Sequence, residues 1–279
     1  MTSKSGYPVS DAKLQIANGY NLEFDTLARL LDAVCRDERG RIPMGDLASA
    51  MGVADRQAKH LSALANALGL TEQITYKPTP LGRLVKERDP FFDDIGTLWF
   101  LHYVIGSDPR AIVWNRIVNA IIPKQPRFTR ERLRAAFDDL REWFSADSIK
   151  KHVLKEINTF LDAYTNQSFA RLIYLRAEGE WYALGYRQPI PPLVLAASIA
   201  HFRGDRRAGD TAVSIPDLCA APNSPGLVYQ LPEDRLRAML EELKTQPGIS
   251  LESRADLDQL RISPDLTDIE LMKRYYSSR

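Results

Sequence analysis

Residues 78–119, PTPLGRLVKERDPFFDDIGTLWFLHYVIGSDPRAIVWNRIVN, decide how the rest of the chain is read. Asp89-Pro90 and Asp108-Pro109 each set a capping acceptor before a proline, and each pair predicts a helix start. From Ile95 to Ile105 the apolar residues Ile95, Leu98, Trp99, Phe100, Leu101, Tyr103, Val104 and Ile105 run nearly all round a helix, the pattern of an element buried on several sides. The run is too short to span a bilayer, which needs ~20 apolar residues. Val113, Trp114, Ile117, Val118 and Ile121 repeat at helical spacing until Pro123 stops them. The pair is expected to form a central hairpin with flanking domains packed on it.

Toward the N-terminus, residues 1–20 read as a polar segment, poorly ordered at its start. Leu22, Leu27, Leu30, Leu31 and Val34 predict a helix ended by Arg36-Asp37-Glu38-Arg39 and Gly40. A short helix follows from Gly45 to Met51, Gly52 turns the chain, and Ala58, Leu61, Leu64, Ala65 and Leu68 mark a third helix. Glu72–Lys77 is expected to pair as two short strands before Pro78. Helix, short helix, helix, hairpin is the order of a winged helix-turn-helix, assigned to residues 21–88; a small helical packing domain would have the same order. On a winged helix, the third helix offers Arg56, Gln57, Lys59 and His60 as phosphate and base-edge donors, with Lys77 on the wing and Arg83 just beyond. Asp55, Glu87 and Asp89 dilute this group, and a solvated helix face would look similar.

Residues 89–166 read as a central helical domain. After the linker Lys124-Gln125-Pro126, Thr129 caps a helix expected from Arg130 to Phe144. A further helix carries Ile149, Val153, Ile157, Phe160, Leu161 and Tyr164 inward and Lys150, Lys151, His152 and Lys155 outward. That basic run suits either a solvated face or a phosphate backbone. Residues 167–279 form the last assignment, a hairpin and a second winged-helix-like domain. Leu172–Arg176 and Trp181–Gly185 alternate as strands around Glu178-Gly179. Leu193–Phe202 reads as a helix, Arg203–Arg207 as an exposed loop, Val213–Cys219 as a short helix, Glu233–Lys244 as a third helix, and GISLESRADLDQLRIS as a strand pair. Glu233, Asp234, Glu241 and Glu242 on that third helix would repel phosphates.

The chain has 279 residues, enough for one or two domains, with 37 basic against 36 acidic residues and a net charge of +1. This balance gives no global attraction to nucleic acid or anionic membrane, so any DNA contact needs a local basic patch. Two distant cysteines, Cys35 and Cys219, argue against a zinc site or disulfide framework and fit a reduced cytoplasm. The first residues, MTSKSGYPVSDAKLQ, lack the apolar core of a signal peptide.

The residues announce no reaction. His60, His102, His152 and His201 have no ligand partner at helical or turn spacing, and His102 in the buried helix reads as a hydrogen-bonded core histidine. Asp93-Asp94 suits the first turn of a helix, where the dipole favours acids, better than a metal pair. There is no phosphate-binding glycine loop, dinucleotide fingerprint or Ser/Cys nucleophile motif. Trp99, Trp114, Trp143 and Trp181 read as core more than as a base-stacking platform.

Several runs are similar to a family. Thr79-Pro80-Leu81-Gly82, Asp89-Pro90 with Asp94, Thr97-Leu98-Trp99 through His102-Tyr103, Ile149-Lys150-Lys151 with Phe160-Leu161 and Tyr164, Ser224-Pro225-Gly226 through Leu231, and Arg274-Tyr275-Tyr276 occur in order over roughly residues 40–279. They resemble a bacterial domain of unknown function found in phage-defence islands. Its genes sit near enzymes related to phosphoadenosine-phosphosulfate reductase and near DNA-modification genes. The start of the chain departs from that family, lacking the aromatic, glycine and basic residues expected before the first helix. The family brings no catalytic residues to carry over. The resemblance implies a cytoplasmic prokaryotic defence protein, an accessory to DNA modification or its sensing.

The expectation is therefore a mainly α protein, with two winged-helix units joined by a central helical region and short β-hairpins as wings. Its expected function is a non-enzymatic DNA-binding accessory, contacting duplex DNA through Arg56, Gln57, Lys59, His60, Lys77 and Arg83. No catalytic set, metal or cofactor is expected. The expected partners are double-stranded DNA and proteins of a neighbouring operon, with no membrane and with self-association left open. The alternative is an assembly protein that uses the same helices for protein contacts. An enzyme would need a pocket of convergent polar groups that no motif announces.

Overall fold

The computed structural model describes residues 13–37, 42–73, 75–206, 211–254 and 257–279. The expectations for Met1–Ala12, Glu38-Arg39-Gly40, Ile74, Arg207 and the turn at Ala255-Asp256 lie outside the described residues. What is described is mostly helical, with two three-stranded antiparallel sheets. No helix among the described residues is long and apolar enough to cross a membrane. The chain divides into two compact units, one up to Gln188 and one from Pro189 on.

The first unit opens with α1 (Phe24–Arg36), α2 (Met44–Met51), α3 (Asp55–Ala67) and α4 (Pro80–Arg88). Leu27, Leu30, Leu31, Leu47, Met51, Ala58, Leu61, Leu64 and Ala65 make a common core. Gly52 stands at φ +69° and closes α2, a left-handed turn that glycine adopts without strain. Thr79 starts α4: its hydroxyl accepts from Gly82 N at 3.0 Å and donates to Gly69 O at 2.6 Å. Gly82 presses on the carbonyl of Leu70, where an added Cβ would lie 2.0 Å from the oxygen. The run Thr79-Pro80-Leu81-Gly82 is thus a cap, a preset first turn and a seat for a neighbouring carbonyl. Gly82→Ala is expected to destabilise by about 3 kcal/mol, the upper end for overpacking, because the obstacle is backbone. A urea unfolding midpoint equal to the parent's would refute this.

The strand pair expected over Glu72–Lys77 is a loop closed by one bridge, Thr71 to Pro78, with Glu72 N donating to Lys77 O at 2.8 Å. Tyr76 at φ +57° breaks the extended backbone, and Pro78 has no N–H to continue a ladder.

The apolar stretch is α5 (Ile95–Ser107), buried continuously from Gly96 to Ser107. It is followed by α6 (Ile112–Arg116), which runs on as a π-helical turn, Ile117–Ile121. Asn115 and Asn119 each donate to Gly106 O at 2.9 Å and so hold the second helix on the end of the first. Neither Asp-Pro pair starts a helix. Asp89 closes α4, and its carboxylate accepts from Asp93 N (2.7 Å) and Asp94 N (3.1 Å). Asp94 is the residue that caps α5, through Gly96 N and Thr97 N. Asp108 likewise turns back onto Arg110 N, and α6 begins at Ile112. An aspartate before proline favours such local turns as readily as it favours caps.

Beyond lie β1 (Arg127–Thr129), α7 (Arg130–Ala135), a 3-10 turn (Asp138–Glu142), α8 (Ala146–Ser148), a π-helical turn (Ile149–Val153) and α9 (Leu154–Thr165). Thr129 caps α7 as expected, but the helix stops at Ala135 instead of reaching Phe144. Past that break, Asp139 is gripped by both terminal nitrogens of Arg116. After a 3-10 turn (Ala170–Leu172), β2 (Leu175–Glu178) and β3 (Trp181–Leu184) pair as a hairpin. β1, from the segment read as a linker and cap, adds a third strand in the order β1-β3-β2.

The second unit runs α10 (Pro192–Arg206), β4 (Ala212–Ser214), α11 (Ile215–Ala220), α12 (Pro225–Val228), α13 (Glu233–Leu243), β5 (Ile249–Arg254), β6 (Leu257–Ile262) and α14 (Asp268–Ser277), with sheet order β4-β6-β5. Arg203 is no loop residue. It lies on α10, and its guanidinium donates to Ile262 O at 2.5 Å. Ser224-Pro225-Gly226 repeats the device of α4: Ser224 caps, Pro225 presets, and Gly226 abuts the carbonyls of Leu218 and Cys219.

Candidate nucleic-acid interface

Arg56, Gln57, Lys59 and His60 all lie on the first two turns of α3, while Ala58 and Leu61 between them are buried and fix which face looks out. Arg56 and Lys59 are exposed; Gln57 and His60 are half-buried. His60 is committed to the protein. Its Nε2 lies 3.0 Å from Asn18 Nδ2, and its ring stacks on Tyr20 with centroids 5.6 Å apart. Burial lowers its pKa, and the charges of Arg56, Lys59 and Lys155 lower it further. Lys77 is exposed in the loop between Thr71 and Pro78. Arg83 is exposed on α4 and acts, with Lys86 and Asp32, on Cys35 of α1. Arg56, Lys59 and His60 therefore form one cluster, and Arg83 faces a different helix.

The structure joins this cluster to a second one that sequence spacing kept apart. His152 Nδ1 meets Gln15 Oε1 (2.5 Å), Gln15 Nε2 donates to Asn18 Oδ1 (3.0 Å), and Asn18 reaches His60. Residues 13–22 are thus a strap between α9 and α3, with Leu14, Ile16, Ala17 and Leu22 buried. They have no period and read as a polar tail, because what holds them is mostly hydrogen bonding to distant groups. Lys155 stands close enough to depress His60, and Lys150 and Lys151 are exposed on the preceding turn. Beside the strap opens a cavity of about 550 Å³ lined by Asn18, Asn21, Arg130, Lys155, Asp162 and Tyr182. Arg130 donates to the Tyr182 hydroxyl at 3.1 Å. The cleft is thus lined by cations from α9 and α7, Lys155 and Arg130, with Arg56 and Lys59 of α3 on the far side of the strap, near His60.

The strap's anchor was missed. Glu156 is 1% exposed; its carboxylate accepts from Ile16 N (2.9 Å), Ala17 N (3.3 Å) and Trp114 Nε1 (2.8 Å). Burial raises its pKa against the pull of those three donors. The signal was present: Glu156 falls on the same stripe as Ile149, Val153 and Phe160, a carboxylate on an apolar face. His102 is fully buried, hydrogen-bonded to the Tyr164 hydroxyl and packed among Trp99, Tyr164 and Tyr174. Burial raises the thiol pKa at both Cys35 and Cys219, which are free. Among the described residues, no three His, Cys, Asp or Glu side chains group as a metal site.

Residues 48–276 match the family described as protein of unknown function DUF4007. The chain belongs to this family. Two solved structures share the fold. A crystal structure of magnesium ion-bound SspB superposes with a TM-score of 0.81 at 17% identity, covering 95% of this chain and 89% of that one. A second SspB crystal structure gives 0.80 at 18%, with the same coverage. At such identities the likeness establishes the fold alone. A search of curated proteins finds no match. Within the DUF4007 match lie both cap-proline-glycine seats, the Asp89 turn, the α5 core and the Arg274-Tyr275-Tyr276 run. In that last run Arg274 donates to Pro247 O and Tyr275 is buried. The runs that carried the resemblance are in these cases structural.

Proposed function

We propose that this DUF4007 protein is a cytoplasmic, non-enzymatic DNA-binding accessory of a prokaryotic phage-defence or DNA-modification system. In this proposal residues 21–88 act as a helix-turn-helix with the loop between Thr71 and Pro78 in the place of a wing, residues 167–279 include a second, winged-helix-like domain, and α3 approaches the duplex. The observation that carries the proposal is the hydrogen-bonded link from His60 of α3 through Asn18 and Gln15 to His152, which sets the exposed Arg56 and Lys59 on the same side of the strap as the basic turn before α9; the charges of Arg56, Lys59 and Lys155 all act on His60. The corresponding helix of the second unit supports the same choice by contrast. On α13, Arg237 is held by Asp258 and Glu233, Lys244 at its end is held by Glu241, and Arg235 stands among Glu233, Asp234, Glu241 and Glu242 on an acidic helix. SspB binds magnesium in the similar structure. No three-ligand group answers to it among the described residues, and no step is assigned to the ion.

The test is duplex binding followed by fluorescence anisotropy at several salt concentrations. Arg56→Ala with Lys59→Ala is expected to weaken binding about tenfold or more and to reduce the slope of log affinity against log salt by about 2, roughly 1 per phosphate contact. Glu241→Gln with Glu242→Gln should leave both unchanged. Parent-like binding by the α3 variant would refute the proposal. A second reading, an assembly protein contacting products of a neighbouring operon, is favoured by Phe91. It is 71% exposed beside a groove of about 950 Å³ on α1 and α4. It takes first place if the parent binds no duplex at low salt.

A further inference from the structure

The outer face of the sheet β1-β3-β2 has no part in the interface above, and its composition is unusual for a solvated surface. Phe128 and Leu175 point inward, so Arg127, Thr129, Arg176, Glu178, Trp181 and Ala183 share the opposite face by strand alternation. In the register, Ala183 sits directly between Arg127 and Arg176. Two guanidinium groups therefore flank a small residue across two strand spacings, about 10 Å. Arg127 lies over the Trp181 ring at 4.7 Å, and Arg132, reaching in from α7, at 5.2 Å. Arg176 lies over Tyr186 at 5.3 Å, and Tyr186 is 87% exposed. Glu178 binds Arg176 at 2.8 Å and Arg127 at 3.3 Å, holding both arginines along the sheet. Glu180 stands in the hairpin turn. Against these two acids, the segment from 124 to 134 brings Lys124, Arg127, Arg132 and Arg134, besides the Arg130 that lines the cleft, opposed only by Glu131.

We infer that this sheet face binds single-stranded DNA. Guanidinium groups held over aromatic rings, beside an exposed tyrosine, offer stacking surfaces to unpaired bases and charge to the backbone between them, the combination by which sheets and grooves hold single strands. A duplex keeps its base planes inside and has nothing to lay on Tyr186. The face has little to favour a 2′-hydroxyl, since the Thr129 hydroxyl already accepts from Arg132 N and Glu178 is engaged by two arginines, so RNA is expected to bind no more tightly than DNA. The inference stands on elements separate from α3 and does not rest on the duplex proposal.

The experiment measures anisotropy of a labelled thymidine oligomer of about 20 nucleotides, of the matching uridine oligomer, and of duplex, with the full chain. Tyr186→Ser changes an exposed ring and leaves the core intact. It is expected to weaken thymidine-oligomer binding about tenfold, within the range for loss of one stacked base. Arg127→Gln with Arg132→Gln should lower the salt slope by about 1.4, roughly 0.7 per phosphate for a single strand. Neither variant should change duplex binding, and Arg56→Ala with Lys59→Ala should leave the thymidine oligomer bound. The inference is overturned if the parent does not bind that oligomer at low salt, or if both sheet variants bind it like the parent. It is also overturned if the α3 variant loses the oligomer as fully as they do, or if the uridine oligomer binds more tightly, which would mark an RNA site. A parent that binds the oligomer but no duplex would sink the α3 proposal and leave this one standing.

Discussion

Replacing Trp99 with alanine is expected to destabilise the first unit by about 3–5 kcal/mol, the usual range for losing a large aromatic from a core. Trp99 has no exposed surface, and it packs edge-on to His102 at 5.5 Å and to Tyr174 at 6.3 Å between ring centroids. His102 and Tyr174 in turn touch Tyr164 of α9, so the indole supports a chain of rings joining α5 to α9 and the segment leading into β2. Such a cluster cannot collapse onto the space the indole leaves, because each ring is fixed by the next; the upper part of the range is therefore expected. Urea unfolding of the full chain measures it. A loss below about 1 kcal/mol would mean that α5 is not the element the unit is built on.

The second large effect is expected at Glu156. Removing its carboxylate by Glu156→Ala leaves the N–H groups of Ile16, Ala17 and Trp114 without an acceptor in the interior. An orphaned buried donor costs about 1–3 kcal/mol, and water entering the vacated space offsets part of the sum, so about 3–5 kcal/mol is expected. The pH dependence has a definite sign. Burial holds the Glu156 carboxyl above its ordinary value, so the folded chain keeps this proton more tightly than the unfolded chain. The corresponding stabilisation is full below the unfolded pKa, about 4.3, and is lost as pH rises through the folded value. The stability difference between the parent and the non-titrating Glu156→Gln should therefore narrow as pH is raised from about 4. Urea melts across that range read it directly, and a difference that widens with pH would contradict the assignment.

What could be read in advance follows the range of the interactions involved. α5 was legible because eight apolar residues round one helix leave no other placement. α3 and α13 were legible because their buried residues keep helical spacing. The Asp-Pro pairs misled because the same side chain can cap a helix or close a turn, and which it does depends on where Asp94 and Ile112 settle. β1 is three residues long, too short for alternation to register, and it exists only because β3 lies beside it. α14 was overlooked although its signal was local: Thr267-Asp268-Ile269-Glu270 is a capping-box sequence, and Thr267 accepts from Glu270 N. Of the residues expected to meet DNA, the grouping of Arg56, Lys59 and His60 followed from one helix. Their approach to Lys155 and the arginine-covered face of Trp181 depend on contacts between segments far apart in sequence, and Trp181 was accordingly read as core.

The strap also sets an order of events during synthesis. Ile16 is made 140 residues before the carboxylate that receives its N–H. At about 5–20 residues per second, that interval is on the order of 10 s. Throughout it the N–H groups of Ile16 and Ala17 lack the Glu156 carboxylate, while the helices from α1 to α4 can already assemble from local contacts. The strap therefore lacks its buried anchor until α9 is made. A segment made before α1 is thus secured only after α9.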